Sequence, residues 1–267
     1  MPGVRRDAAA IVLAGGMSRR MGAPKALLDW HGAPLVHRVT GILGRVCDPV
    51  IVVTAAGQEL ALPPRVEVAI DAAPGRGPLE GVAAGVRALG GRTHAVFLAA
   101  TDLPLLHPEV VADLLDSLPG YDAAVVVAGG HDQSLAAAYE ARLLARAPQL
   151  LATGRPRVAA LFDGARVNRL EAGDLGDPES FRGMNTPQDY RELRGLPQPA
   201  VTVSVPGAAA AAVRAATLGA ALACVAAPSG QAEHPVALVN GELVPPDPAT
   251  PLVSGDVVEL RPTRPSR

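Results

Sequence analysis

From residue 8 to about residue 130, short and nearly uninterrupted apolar runs alternate with amphipathic segments, a pattern that limits the chain to βα units laid on a parallel sheet. The runs are AAAIVLA (8 to 14), VIVVT (50 to 54), VEVAI (66 to 70), AVFLAA (95 to 100) and AAVVVA (123 to 128). Strands covered on both faces need apolar residues at consecutive positions, which each run supplies. Between them, Leu35, Val36, Val39, Ile42, Leu43 and Val46 share one helical stripe behind Pro34, whose missing N–H costs nothing at a helix start. Pro108 opens another helix carrying Val110, Val111, Leu114, Leu115 and Leu118. The expected fold class is α/β with a mostly parallel sheet.

From Asp132 to Tyr190 the pattern turns irregular, with helices expected around 139 to 151 and 187 to 194. At GLPQPA (195 to 200) the composition shifts to a proline-containing linker. Beyond it come VTVSV, an alanine-rich stretch (208 to 227) read as a helix, VALVNGELV and VVEL. Asn240-Gly241 predicts a hairpin turn, and Ser254-Gly255-Asp256 a second turn. The expected domains are 1–196 and 201–267, joined by a linker at 197–200. The second, at about 65 residues, is near the lower size limit for an independent core.

Composition narrows the partners. A net charge of -2 and 3% aromatic residues provide neither a basic field for phosphate backbones nor platforms for stacked bases, so nucleic acid is not expected. Cys47 and Cys224 belong to no Cys/His cluster, which argues against a zinc site or disulfide framework and for a reducing, cytoplasmic setting. AAAIVLA is interrupted by Gly15 and Gly16, and the 208–227 stretch contains Arg214, so neither reads as a signal peptide or membrane span.

The stretch LAGGMSRRMGAPK (13 to 25) directly follows the first expected strand. Paired glycines let the backbone turn and aim several N–H groups at one point, where an oxyanion can approach because no Cβ intervenes. Arg19, Arg20 and Lys25 add cations suited to a triphosphate and a departing pyrophosphate. A Walker A loop needs lysine directly after its second glycine, whereas Gly22 is followed by Ala23 and Pro24. GRGPLEG (75 to 81) spaces its glycines too widely for a dinucleotide fingerprint. In open α/β sheets ligands sit beyond the carboxyl ends of strands, which singles out Asp71 after VEVAI and Asp102 after AVFLAA. Asp102 is the expected ligand of Mg²⁺, a hard cation satisfied by one carboxylate, substrate phosphates and water.

LAGGMSRRMGAPK resembles the signature of nucleotidyltransferases of the molybdenum cofactor guanylyltransferase type, meeting each of its fixed positions. The resemblance covers residues 7 to 194 and implies a Rossmann-like domain that transfers GMP from GTP to molybdopterin cofactor, with Mg²⁺ and release of pyrophosphate. It implies nucleotide-binding roles for Leu13, Ala14, Gly15, Gly16, Lys25, Asp71 and Asp102, and catalytic roles for Lys25, Asp102, Arg19 and Arg20. Gly77, Pro78 and Leu79, in a GPLEG segment matched to a family loop, are expected substrate contacts, with Gln133 and with Asn185 of MNTPQDY. The chain departs from the family pattern at Gly183 and Ser134, where the family has asparagine and proline, and at Val53 or Thr54, where an asparagine is expected.

VALVNGELV with TPLVSGDVVEL resembles the end of β-grasp sulfur carriers, which implies a small ubiquitin-like α+β domain. Those carriers finish in Gly-Gly and this sequence in Arg264-Pro265-Ser266-Arg267, so a docking module toward a molybdoenzyme or chaperone is expected rather than a carrier. Two other functions stay open: a relative using CTP or another phosphate acceptor, and an idle nucleotide-binding module that presents the C-terminal unit.

Overall fold

The computed structural model describes residues 7–15, 24–73, 75–225 and 236–261. The chain divides into two compact units, Met1–Leu28 with Pro34–Arg191, and Asp29–Ala33 with Glu192–Arg267.

The first unit is built on a seven-stranded sheet. Its strands are β1 (Ala8–Leu13), β2 (Val50–Ala55), β3 (Val66–Asp71), β4 (Ala95–Ala100), β5 (Ala123–Ala128), β6 (His131–Glu140) and β7 (Val167–Glu171), in the order β3-β2-β1-β4-β6-β5-β7. β1 to β4 pair in parallel, as do β5 and β7, while β6 runs antiparallel between β4 and β5. The helices are α1 (Leu35–Leu43), α2 (Pro78–Leu89), α3 (Pro108–Asp116), α4 (Ala141–Leu144) and α5 (Ala147–Ala152), and α6 (Pro187–Arg194) carries the chain from this unit into the second. One core joins Ala9 and Ile11 of β1 and Ile51 and Val53 of β2 to Leu79, Val82 and Leu89 of α2 and to residues of α4 and α5. The intervening Ala8, Ala10 and Val12 are equally buried and point to the other face, where α1 and α3 pack.

The strand α2 lies over is approached closely. A Cβ on Gly85 would stand 2.6 Å from the Cγ2 of Ile11, itself fully buried and unable to retreat. Alanine ordinarily favours a helix over glycine by about 1 kcal/mol. Here the sign reverses: Gly85→Ala is expected to lower stability by about 1–3 kcal/mol through overpacking. A chemical denaturation midpoint at or above the wild-type value would contradict that.

Three sequence expectations need correction. VEVAI is not a strand covered on both faces: β3 is the sheet edge, with Val68 and Ile70 more than half exposed. The segment expected to be irregular contains β6 and β7, and the helix expected over 139–151 starts later and breaks into α4 and α5. The alanines of SLAAAY have no strand preference of their own, and β6 forms because it fills the gap between two apolar strands. GPLEG is not a loop but the first turn of α2, with Pro78 in the position where its missing N–H is harmless.

The second unit contains β8 (Ala200–Ser204), β9 (Ala211–Arg214), α7 (Leu218–Ala223), β10 (Val236–Val239), β11 (Glu242–Val244) and β12 (Val257–Arg261). The sheet order is β9-β8-β12-β10-β11, with β8 and β12 parallel and the other neighbours antiparallel. The alanine-rich stretch is therefore not one helix. Ala211 and Val213 alternate with the more exposed Ala212 and Arg214 in a strand paired to β8, so sheet pairing overrides alanine's helix preference. α7 starts only at Leu218, capped by Thr217, whose Oγ1 accepts from the Ala220 N–H. The Asn240-Gly241 turn takes positive φ at both residues, 53° and 84°. The buried Asp256 carboxylate ties that turn to the next, accepting from Asn240 Nδ2 at 2.7 Å and from the Val253 N–H at 2.8 Å. Among the described residues no helix is long and apolar enough to cross a membrane.

Candidate active site

β2 and β4 flank β1, so the chain leaves the carboxyl ends of β1 and β4 in opposite directions along the sheet and opens a crevice between them. A cleft of about 620 Å³ lies there. It is lined by Leu13, Ala14 and Gly15 at the end of β1 and by Ala100, Thr101 and Asp102 at the end of β4. Asp71 at the end of β3 and Gly77 and Pro78 at the start of α2 close one side, and Leu135 of β6 contributes at the other. That volume lies within the usual range for a small-molecule site.

Gly15 stands where no side chain fits: a Cβ would come within 2.8 Å of the Ala55 backbone nitrogen. The preceding Ala14 is fixed from the next strand, donating its N–H to the Val53 carbonyl at 2.8 Å and accepting from Gln58 Nε2 at 3.2 Å. Ala14 and Gly15 are thereby pressed against β2, with Gly15 lining the cleft. Gly16, Arg19 and Arg20 lie outside the described residues.

Lys25, in the short 3₁₀ turn Lys25–Leu27, reaches back over the cleft. Its Nζ donates to Asp102 Oδ2 at 2.8 Å and to Asn185 Oδ1 at 3.0 Å. Two residues 77 and 160 positions away in the chain thus converge on the Lys25 ammonium group. The Lys25 and Asp102 side chains are only 17% and 21% exposed, so the pair is partly shielded from water.

The loop bearing Asp102 is held from several directions. The Met184 N–H donates to the Asp102 carbonyl at 2.9 Å, and the buried Arg38 of α1 donates to the Pro104 carbonyl. Ser180, fully buried, accepts from the His107 N–H at 3.0 Å, and His107 in turn caps α3. Asn185 is set by a separate turn. The Asp189 carboxylate accepts the N–H groups of both Asn185 and Thr186 at 2.8 Å. Those two backbone bonds hold the Asp189 carboxyl below the usual carboxylate range, and the Lys25 cation adds to the effect.

The other expected residues are placed as follows. Asp71 is buried at the cleft edge, where its Oδ1 accepts from the Ala73 N–H at 2.9 Å. Leu79 is fully buried against the sheet rather than lining the cleft. Gln133 is also absent from the lining, and its Nε2 donates to the carbonyls of Ala128 and His131 across the β5–β6 turn. Sequence reasoning missed Thr101, Gly81 and Leu135 as lining residues. Thr101 was within reach of the rule that ligands sit after strand ends; Leu135 lies in a strand that carried no signal.

The stretch 10–167 matches the model of the MobA-like NTP transferase domain. A probable molybdenum cofactor guanylyltransferase of Mycobacterium tuberculosis is 38% identical over 186 residues, covering 67% of this chain and 92% of that protein. Its namesake from Mycobacterium marinum is 37% identical over 196 residues, covering 71% and 96%. Among solved structures, molybdopterin-guanine dinucleotide biosynthesis protein A of Archaeoglobus fulgidus shares the fold with a TM-score of 0.58 at 22% identity, over 70% of this chain and 96% of that one. The match extends over more than half of the chain, through the glycine turn, Lys25 and Asp102, and the chain belongs to the MobA-like NTP transferase family of nucleotidyltransferases.

Proposed function

We propose that the cleft transfers GMP from GTP to the terminal phosphate of molybdopterin cofactor and releases pyrophosphate, with Mg²⁺ as its metal. The observation that carries this reading is the convergence of Lys25, Asp102 and Asn185 beside the Gly15 turn, in a chain whose relatives bear the guanylyltransferase name. An acceptor phosphate oxygen forms a bond to the α-phosphorus of GTP. The bond from that phosphorus to the oxygen bridging to the β-phosphate breaks, and its electron pair leaves with pyrophosphate. The attacking oxygen is already anionic, so no side chain has to form a covalent intermediate. Alignment and charge stabilisation are what the protein must supply.

Lys25 and the backbone after β1 hold the departing pyrophosphate, joined by Gly16, Arg19 and Arg20 on the reading of the sequence. Asp71 orients the nucleoside, Gly77 and Pro78 shape its side of the cleft, and Asn185 faces the acceptor. Asp102 fits Mg²⁺ by its donor chemistry: a partly shielded carboxylate already holding a cation, with no cluster of three potential metal-binding side chains among the described residues. A metal that keeps its waters and takes phosphate oxygens suits a site with so few protein ligands. When bound there, it neutralises charge on the transferring phosphoryl group. The second unit serves as a docking module toward a molybdoenzyme or chaperone.

The test is to incubate the protein with molybdopterin cofactor and Mg²⁺, with GTP or CTP in separate reactions. Pyrophosphate released in step with a guanine dinucleotide is the expected outcome. Product from CTP alone replaces guanylyl with cytidylyl transfer, and nucleotide binding without product in either reaction favours the idle module.

A further inference from the structure

We propose that a bulge in β6, latched by the Tyr139 hydroxyl, holds Leu135 as the acceptor-side wall of the cleft, with Tyr139 as its positioning residue. The assignment of sides rests on the transfer reading above.

β5 and β6 pair regularly from Ala123 with Tyr139 to Val125 with Ala137, and then resume at Val127 with Asp132. Residues 133–136 of β6 therefore stand opposite the single residue Val126. On its other side β6 pairs with β4 only as far as Ala136 with Ala99, so residues 133–135 pass beyond the paired ladder. Bulges bend a strand and re-aim its side chains, often beside active sites. This one brings Leu135 into the cleft with Ala100 and Thr101.

The bulge is held at both ends. The Tyr139 hydroxyl donates to the Ser134 carbonyl at 2.7 Å, next to Leu135. Its ring is fully buried and stacks on Phe162 with centroids 6.0 Å apart, so the hydroxyl is delivered from a fixed point. Burial pushes the phenol upward in pKa, which keeps it a donor. At the far end Asp132 is paired with Arg169 at 3.0 Å, and Gln133 closes the β5–β6 turn.

The position fits the acceptor rather than the nucleotide. In the order β3-β2-β1-β4-β6, Asp71 ends the first strand and Leu135 belongs to the last. Four interstrand steps span roughly 19 Å. Gly15, after β1, is at the centre, where on the transfer reading the phosphates react. With the nucleoside extending toward Asp71, the acceptor extends toward Leu135, whose side chain offers an apolar surface for the acceptor's ring system.

Leu135→Ala and Tyr139→Phe test the proposal, the second keeping the buried ring and removing only the latch. Leu135→Ala should raise the acceptor's KM by about tenfold, with kcat and the KM for GTP unchanged. Tyr139→Phe should move the acceptor's KM in the same direction by a smaller factor. A rise in the KM for GTP in step with the acceptor's, or an unchanged acceptor KM in Leu135→Ala, overturns the assignment. Equilibrium dialysis of molybdopterin cofactor without GTP separates this from the transfer reading. If the wild type binds the cofactor but transfers nothing, the transfer reading fails, and the Kd decides the wall: weaker binding by Leu135→Ala supports it and equal binding overturns it. A wild type that does not bind the cofactor overturns both.

Discussion

Asp102→Ala should lower turnover by at least the order of 10²-fold that removing one group stabilising a transition state costs. The loss should fall on kcat more than on the KM for GTP, because on the proposed reading the Gly15 backbone and Lys25 would still contact the phosphates. The chain should stay folded. The Asp102 loop is fixed through its backbone by Met184 and Arg38 and through neighbouring residues by Ser180, none of which needs the carboxylate. Steady-state rates alongside a thermal melt check both halves, and wild-type-like turnover would remove Asp102 from the mechanism.

Lys25→Met should lower kcat/KM by about 10²–10³-fold, with the KM for GTP rising as well, since on the proposed reading the ammonium would meet phosphate both before and during transfer. The two losses should not multiply. Lys25 and Asp102 satisfy each other at 2.8 Å, and removing either leaves the other's charge without that partner. A double variant scarcely slower than the worse single variant is therefore expected, as for residues that act as a unit. Losses that multiply in full would mean that the two act independently, contrary to a shared phosphate site.

What the sequence disclosed follows from how locally each feature is encoded. β1, β2, β4 and β5 were legible because strands enclosed by other strands and helices are apolar at successive positions, and their observed bounds fall within one residue of those expected. β6 was not, because Ala136, Ala137 and Ala138 favour helix by themselves and only pairing with the neighbours β4 and β5 makes them a strand. β9 failed for the same reason. Along β3, Val68 and Ile70 read as core although the sheet ends there, a fact of topology that composition cannot carry. Lys25, Asp102 and Asn185 were each singled out by a short motif, but the distances that unite them arise only from the fold. Leu135, next to the family-pattern position Ser134, was not singled out as a site residue, since its place in the cleft depends on a bulge in a strand that was itself unseen.

A structure of the protein with GTP and Mg²⁺ bound tests the central claim most directly. The triphosphate should lie over the backbone at Gly15, with Lys25 Nζ within hydrogen-bonding distance of its oxygens and shifted from Asp102. Nucleotide bound elsewhere, with Lys25 still seated on Asp102 and Asn185, would contradict the account.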